Sequence, residues 1–147
     1  RRQVGKLRDH YHLMGMNVIS FELQPKLLKK PRKEHIVLYT GTHDNDTLEG
    51  FYQQLTQNRR IALRRFFHNC GYDNRMFHEL VIRYCLDSAA DVVILPMSDI
   101  LGLKSEGRIN TPGTIGSPNW EWKVKNLKEF YALLPKLGEW IRTSGRG

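Results

Sequence analysis

The segment Thr42-His43-Asp44-Asn45-Asp46-Thr47 gathers a histidine, two acids and an amide directly behind the apolar run His35 to Tyr39, "HIVLY". An acid beside a histidine in a half-buried cleft can hold an ionised carboxylate against a substrate hydroxyl, or steady a cationic transition state. A second reading stays open on spacing alone. Asp46 and Thr47 would cap the helix that follows, while His43 and Asp44 would satisfy backbone groups of the loop.

The surrounding elements decide where such a segment sits. Met16 to Leu23, "MNVISFEL", and His35 to Tyr39 read as two buried strands separated by a basic, proline-broken loop, and Val92 to Leu95, closed by Pro96, reads as a third. From Asn58, "NRRIALRRFFHN" has a mixed helical pattern that includes Ile61, Leu63 and Phe66. The clearer helix is "NRMFHELVIRYCLDSAAD", with Phe77, Leu80, Val81, Tyr84 and Cys85 at i, i+3, i+4, i+7, i+8 spacing. The tail from Asn126 to Arg142 repeats helical spacing in Leu127, Phe130, Tyr131 and Leu134, with Pro135 expected to start a new turn. Strand, connection, strand, helices, strand, helix is the order of a parallel sheet with helices packed outside it, so the fold class is α/β. In such folds, ligands collect at the carboxyl ends of the strands, which is where "THDND" falls. Lys104 to Asn119 is a long Gly/Pro/Ser/Asn loop of a kind that compact domains rarely keep without a use.

Composition bounds the function classes. With 147 residues and 40% hydrophobic content, the chain has enough apolar material for one core, and 1–147 reads as a single segment without a second domain. The formal charge of +8 would draw any polyanion without choosing one, and no zinc, helix-turn-helix or aromatic RNA-binding signature accompanies it. Nucleic acid is therefore not the expected partner. The basic stretch Lys26 to Lys33 reads as a solvated loop, with a polyanion contact as the alternative. Two cysteines, Cys70 and Cys85, support neither a disulfide framework nor a cysteine metal site, so the expected compartment is the cytoplasm, with no metal and no cofactor. No apolar run reaches the roughly 20 residues of a membrane span, and the absence of an initiator Met suggests a chain that begins inside something longer.

"YTGTHDNDT", together with "LPMSDILGLKSEGRINTPGTIGSPNWEWKV", resembles the C-terminal part of the 4-α-glucanotransferases, the amylomaltase or disproportionating-enzyme family of the α-amylase clan. "LRDHYHLMGMNVISFEL" is similar to the family segment that leads into and forms the sixth barrel strand, so the likeness extends from about Leu7 to Val124. It implies a (β/α)8 TIM barrel of which this chain supplies about the last three strand–helix units, with strands at Asn17 to Glu22, Ile36 to Tyr39 and Val92 to Leu95. The family cleaves α-1,4-glucans or maltooligosaccharides with retention, through an aspartate nucleophile and a glutamate acid/base. By the resemblance both lie in the upstream half of the same barrel, which becomes a required partner.

Asp44 is then the third catalytic acid, gripping ring hydroxyls at the cleavage point and favouring the oxocarbenium-like form. The resemblance also makes His43, Asn110 and Asp99 substrate-binding: His43 donates to the same sugar, Asn110 in "INTPGT" contacts glucan, and Asp99 in "MSDILGL" braces the long loop or caps a helix. Trp120 and Trp122 are expected to pack structurally rather than to serve as sugar platforms. Glu22 is expected to be structural, and Asn45 and Asp46 to shape the loop. Two departures from the family pattern stand out. Leu13-Met14-Gly15-Met16 lacks a proline usual before the sixth strand, and Lys123 stands where an arginine is common. A non-catalytic glucan-binding or assembly piece remains the alternative function, and the isolated chain is expected to be inactive.

Overall fold

The computed structural model describes residues 2–28, 35–73 and 76–146, so most of the basic stretch Lys26 to Lys33 lies outside the described residues. Helix α1 (Arg2–His10) leads into strand β1 (Gly15–Val18) and a 3-10 turn (Ile19–Glu22); strand β2 (Ile36–Tyr39) follows. Helices α2 (Leu48–Gln54), α3 (Gln57–Asn69) and α4 (Phe77–Leu86) then return the chain to strand β3 (Val92–Ile94). A short α5 (Met97–Ile100), a 3-10 turn at Ser105–Gly107 and the terminal α6 (Lys128–Thr143) complete it.

The strands form one parallel sheet in the order β1-β2-β3, with Gly15 opposite Ile36 and Val37 opposite Val92. Parallel pairing demands long crossovers, and the three helices between β2 and β3 supply one. The α/β expectation is met. The first strand is shorter than expected, because the chain leaves the extended state at Ile19. Ile19 and Leu23 are buried while Phe21 is 68% exposed, and a strand would put all three on one face. A tight helical turn instead sends Ile19 and Leu23 inward and Phe21 out.

Among the described residues, helices cover one face of the sheet. Ile36, Leu38 and Val93 pack into the core with α2, α3 and α4. On the opposite face, the paired rows contain Met16, Val92 and Ile94, which are 63%, 40% and 39% exposed. That second face is apolar as well, and among Met16, Val18, Val92 and Ile94 in these three-strand rows only Val18, at its end, is buried.

Helix α4 buries all five residues of its anticipated stripe, Phe77, Leu80, Val81, Tyr84 and Cys85. Phe67 of α3 meets Phe77 and Tyr84 edge to face at 6.0 and 5.6 Å, and Tyr52 of α2 stacks on Phe77 at 4.3 Å. Offset and edge-on aromatic contacts of this kind add about 0.5–1.5 kcal/mol each beyond burial. Helix α6 departs from expectation twice. Its packed stripe is Leu137, Trp140 and Ile141, whereas Leu127, Tyr131 and Leu134 are exposed. Pro135 lies inside the helix and does not break it. It is on the exposed side, where water can serve the carbonyl that its missing N–H leaves unpaired. Cys70 and Cys85 are both free thiols, and no helix of the described residues is long and apolar enough to cross a membrane.

Candidate active site

The chain between β2 and α2 folds by spending most of its polar side chains on itself. Asn45 Oδ1 accepts from the Thr42 N–H and hydroxyl, both at 2.8 Å, which closes the loop. Thr47 is the N-cap of α2, its hydroxyl accepting from the Gly50 N–H at 3.0 Å. Asp46 accepts from the Thr47 N–H, from Gln54 Nε2 and from the Ser105 hydroxyl, all at 2.8 Å, and so ties the loop to the turn at Ser105–Gly107. Gly50 permits this approach, since a Cβ there would lie 2.5 Å from both Asp46 Oδ1 and Ser105 Oγ. The capping reading therefore describes Asp46 and Thr47, while His43 and Asp44 lie beyond the carboxyl end of β2 with side chains about half exposed.

The long loop comes to meet them. Asn110 Nδ2 donates to Asp44 Oδ1 at 2.6 Å, and the Asn110 N–H donates to the His43 carbonyl at 3.1 Å. His43 Nε2 lies 3.4 Å from Asp44 Oδ2. Arg108 completes the junction, its Nη2 donating to the Asp44 carbonyl at 3.0 Å and its Nε to the Asn110 carbonyl at 2.8 Å. Asp44, His43 and Asn110 are thus brought together from sequence positions more than sixty residues apart. Arg108 was not anticipated, because one arginine among 23 basic residues carries no signal of its own.

Trp120 corrects the packing expectation. It is 64% exposed, its ring centroid lies 5.0 Å from that of His43, and its N–H donates to the Ile109 carbonyl at 2.7 Å. Its φ of 63° is unusual for a bulky residue. Trp122 is half-buried and lines a separate cleft with Gln54 and Asn119. A cleft of ≈ 370 Å³ opens at the carboxyl ends of the strands, bordered by Met16, Tyr39, His43, Ile94 and Arg108.

Asp99 lines the same cleft from beneath. It is 2% exposed, accepting from the Thr40 hydroxyl at 2.7 Å and the Leu48 N–H at 2.8 Å. Burial pushes its carboxyl above the ordinary aspartate value, against the pull of those two hydrogen bonds. With one bond on each oxygen, Asp99 pins the end of β2 to the start of α2 beneath the loop that carries Asp44.

A second buried support lies behind it. Glu49 of α2 accepts at one oxygen from the His78 N–H at 2.9 Å and from His78 Nδ1 at 2.8 Å. Burial works against the charged carboxylate, but the His78 ring and backbone donors outweigh it and hold Glu49 below its ordinary value. Gly102, at φ +63°, lets the backbone press on the His78 ring, where a Cβ would come within 2.5 Å of Cε1. A depressed folded-state pKa contributes stability that is present above the unfolded value, about 4.3 for glutamate, and is lost as the pH falls through the folded one. Asp99 has the opposite sign. In the complete barrel, Glu49→Gln will lower the urea midpoint at neutral pH, and its stability curve will converge on the wild type in acid. Curves that stay parallel from neutral pH down to about pH 2 would remove the Glu49 carboxylate from the acid response.

Among the described residues, no group of three His, Cys, Asp or Glu side chains is placed to hold a metal ion. Comparison with known proteins settles the lineage. The sequence profile of the 4-alpha-glucanotransferase family matches residues 1–128. The chain belongs to that family. The 4-alpha-glucanotransferase of Thermus thermophilus is 33% identical over 131 residues, covering 83% of this chain and 26% of that enzyme. The Synechocystis enzyme is 36% identical over 126 residues, covering 82% and 24%. The chloroplastic/amyloplastic 4-alpha-glucanotransferase of Solanum tuberosum is 31% identical over 150 residues, covering 97% and 26%. The chain spans about a quarter of the length of these relatives. An amylomaltase from Streptococcus agalactiae, solved in complex with acarbose, superposes with a TM-score of 0.82 at 23% identity, over 100% of this chain and 30% of that one. The fold is that of about the last three strand–helix units of a (β/α)8 barrel in this glucanotransferase family.

Proposed function

We propose that residues 1–147 form the C-terminal portion of the catalytic barrel of a 4-alpha-glucanotransferase, working in the cytoplasm on α-1,4-glucans or maltooligosaccharides. The reading rests most on one observation: Asp44, at the carboxyl end of β2, is clasped by Asn110 from the loop that follows β3. In a retaining double displacement, a nucleophile and an acid/base do the bond-making, and both come from the upstream half of the barrel in this proposal. Asp44 grips hydroxyls of the sugar at the cleavage point and stabilises the positive charge that develops on its ring. His43, half exposed beside it, donates to the same sugar. Asp99 acts beneath the loop, through Thr40 and Leu48, rather than on glucan.

The experiment is disproportionation of maltotriose by the complete protein, with release of glucose and growth of longer maltodextrins as the expected outcome. Glucan binding without any turnover would instead support a non-catalytic glucan-binding protein.

Asn110 should serve both the sugar and Asp44. One amide hydrogen goes to the Asp44 carboxylate, and its remaining side-chain hydrogen and oxygen have no partner among the described residues, leaving them for glucan. Asn110→Ala is expected to raise KM and to lower kcat by about 10-fold, less than loss of the Asp44 charge would. Unchanged kinetics on short and long glucans would place Asn110 outside the working site.

A further inference from the structure

We propose that Arg108 is the positioning residue for Asp44, a planar clamp that sets the peptide following the acid and thereby its carboxylate; this rests on the glucanotransferase reading of the site. Arg108 is half-buried and touches no carboxylate in the junction. Its guanidinium instead spans two carbonyls of different loops, Asn110 by Nε and Asp44 by Nη2. The consecutive carbonyls of His43 and Asp44 are therefore both held from the long loop, one by the Asn110 N–H and the other by Arg108. With Asn110 Nδ2 on Oδ1, the acid is fixed at its backbone on either side of Cα and at its side chain. The clamp is itself backed from behind, because the neighbouring Ile109 carbonyl accepts from the Trp120 N–H.

The chemistry calls for arginine in particular. Nε–H and Nη2–H are fixed in one plane, so a single side chain can address two carbonyls at a set separation. A lysine ammonium carries charge but not that geometry. Freed of Arg108, the Asp44 peptide would lose its donor, and the carboxylate would depart from the position in which it opposes developing charge. A misplacement of about 1 Å costs on the order of 100-fold in rate.

The test compares Arg108→Ala, Arg108→Lys, Asn110→Ala and the double variant Arg108→Ala/Asn110→Ala in the complete enzyme on maltotriose, with rates normalised to folded protein. Arg108→Ala should lose about 100-fold in kcat while KM moves much less, and Arg108→Lys should fall between it and the wild type. Soluble guanidinium at millimolar concentration should recover part of the Arg108→Ala rate, where an equal ionic strength of sodium chloride does not. Because both residues act on the same acid, the double variant should be little worse than Arg108→Ala alone. Wild-type kcat in Arg108→Ala overturns the proposal, as does a loss that guanidinium leaves untouched and that multiplies with Asn110→Ala. An inactive wild type would instead defeat the glucanotransferase reading, and the clamp is then judged by hydrogen exchange. Faster amide exchange at 43–45 and 108–120 in Arg108→Ala, with α4 unchanged, supports it; unchanged exchange in those segments overturns it.

Discussion

Asp44→Asn in the complete enzyme is expected to lower kcat for maltotriose disproportionation by about 1,000-fold, at the upper end of the effect of removing one preorganised transition-state stabiliser. The substitution keeps the size and planarity of the side chain. An amide oxygen can still accept from Asn110 Nδ2, and the backbone contacts from Asn110 and Arg108 to His43 and Asp44 do not involve the side chain at all. What disappears is a full negative charge opposite a sugar ring that becomes cationic only in the transition state, so kcat should fall far more than KM rises. Folding should be unaffected, because the side chain is half exposed and the charge holds no buried partner. Residual hydrolysis should fall in step with transfer, since both pass through the same glycosyl-enzyme intermediate. Glucose release near the wild-type rate would overturn the assignment of Asp44.

What was legible in the sequence follows from where local chemistry and tertiary context agree. The α4 stripe was readable because Phe77, Leu80, Val81, Tyr84 and Cys85 recur at helical spacing, whereas the burial of His78, Ile82 and Leu86 on the other sides of the helix comes from tertiary context. The loop bearing His43 and Asp44 was readable because it follows a strand and precedes a capped helix. Helix α6 misled because Leu134 shares a face with Leu137 and Ile141 at i, i+3, i+7 spacing, and only contact with the rest of the fold chooses the C-terminal part of that stripe over Tyr131 and Leu134. Asp99 was singled out because "MSDILGL" resembles a family motif that follows a barrel strand, but its bonds to Thr40 and Leu48, from residues 59 and 51 positions away, could not be read from that motif. Arg108 escaped notice for the same reason: its worth lies in two carbonyls, and carbonyls leave no mark in a sequence.

The isolated 147-residue chain is expected to show no glucanotransferase activity and to self-associate. Among the described residues, strands β1 and β3 each pair with β2 alone, which leaves an outer edge of backbone donors and acceptors on either side of the sheet. The uncovered face presents Met16, Val92 and Ile94, which in a closed barrel would meet side chains of the opposite wall. Together, an open edge and an open apolar face favour addition of another copy over a soluble monomer. Activity should be absent for a separate reason. Asp44 can stabilise charge on a sugar ring, but no bond breaks without a nucleophile and an acid/base, which the proposed mechanism draws from outside these residues. Light scattering after size exclusion should report oligomers or aggregate, and incubation with maltotriose should leave the sugar unchanged. Co-expression with the upstream barrel half should restore both solubility and transfer if the edges pair as they do in an intact barrel. Formation of glucose and longer maltodextrins by the purified chain alone, abolished by Asp44→Asn, would show that a complete catalytic set lies within these residues.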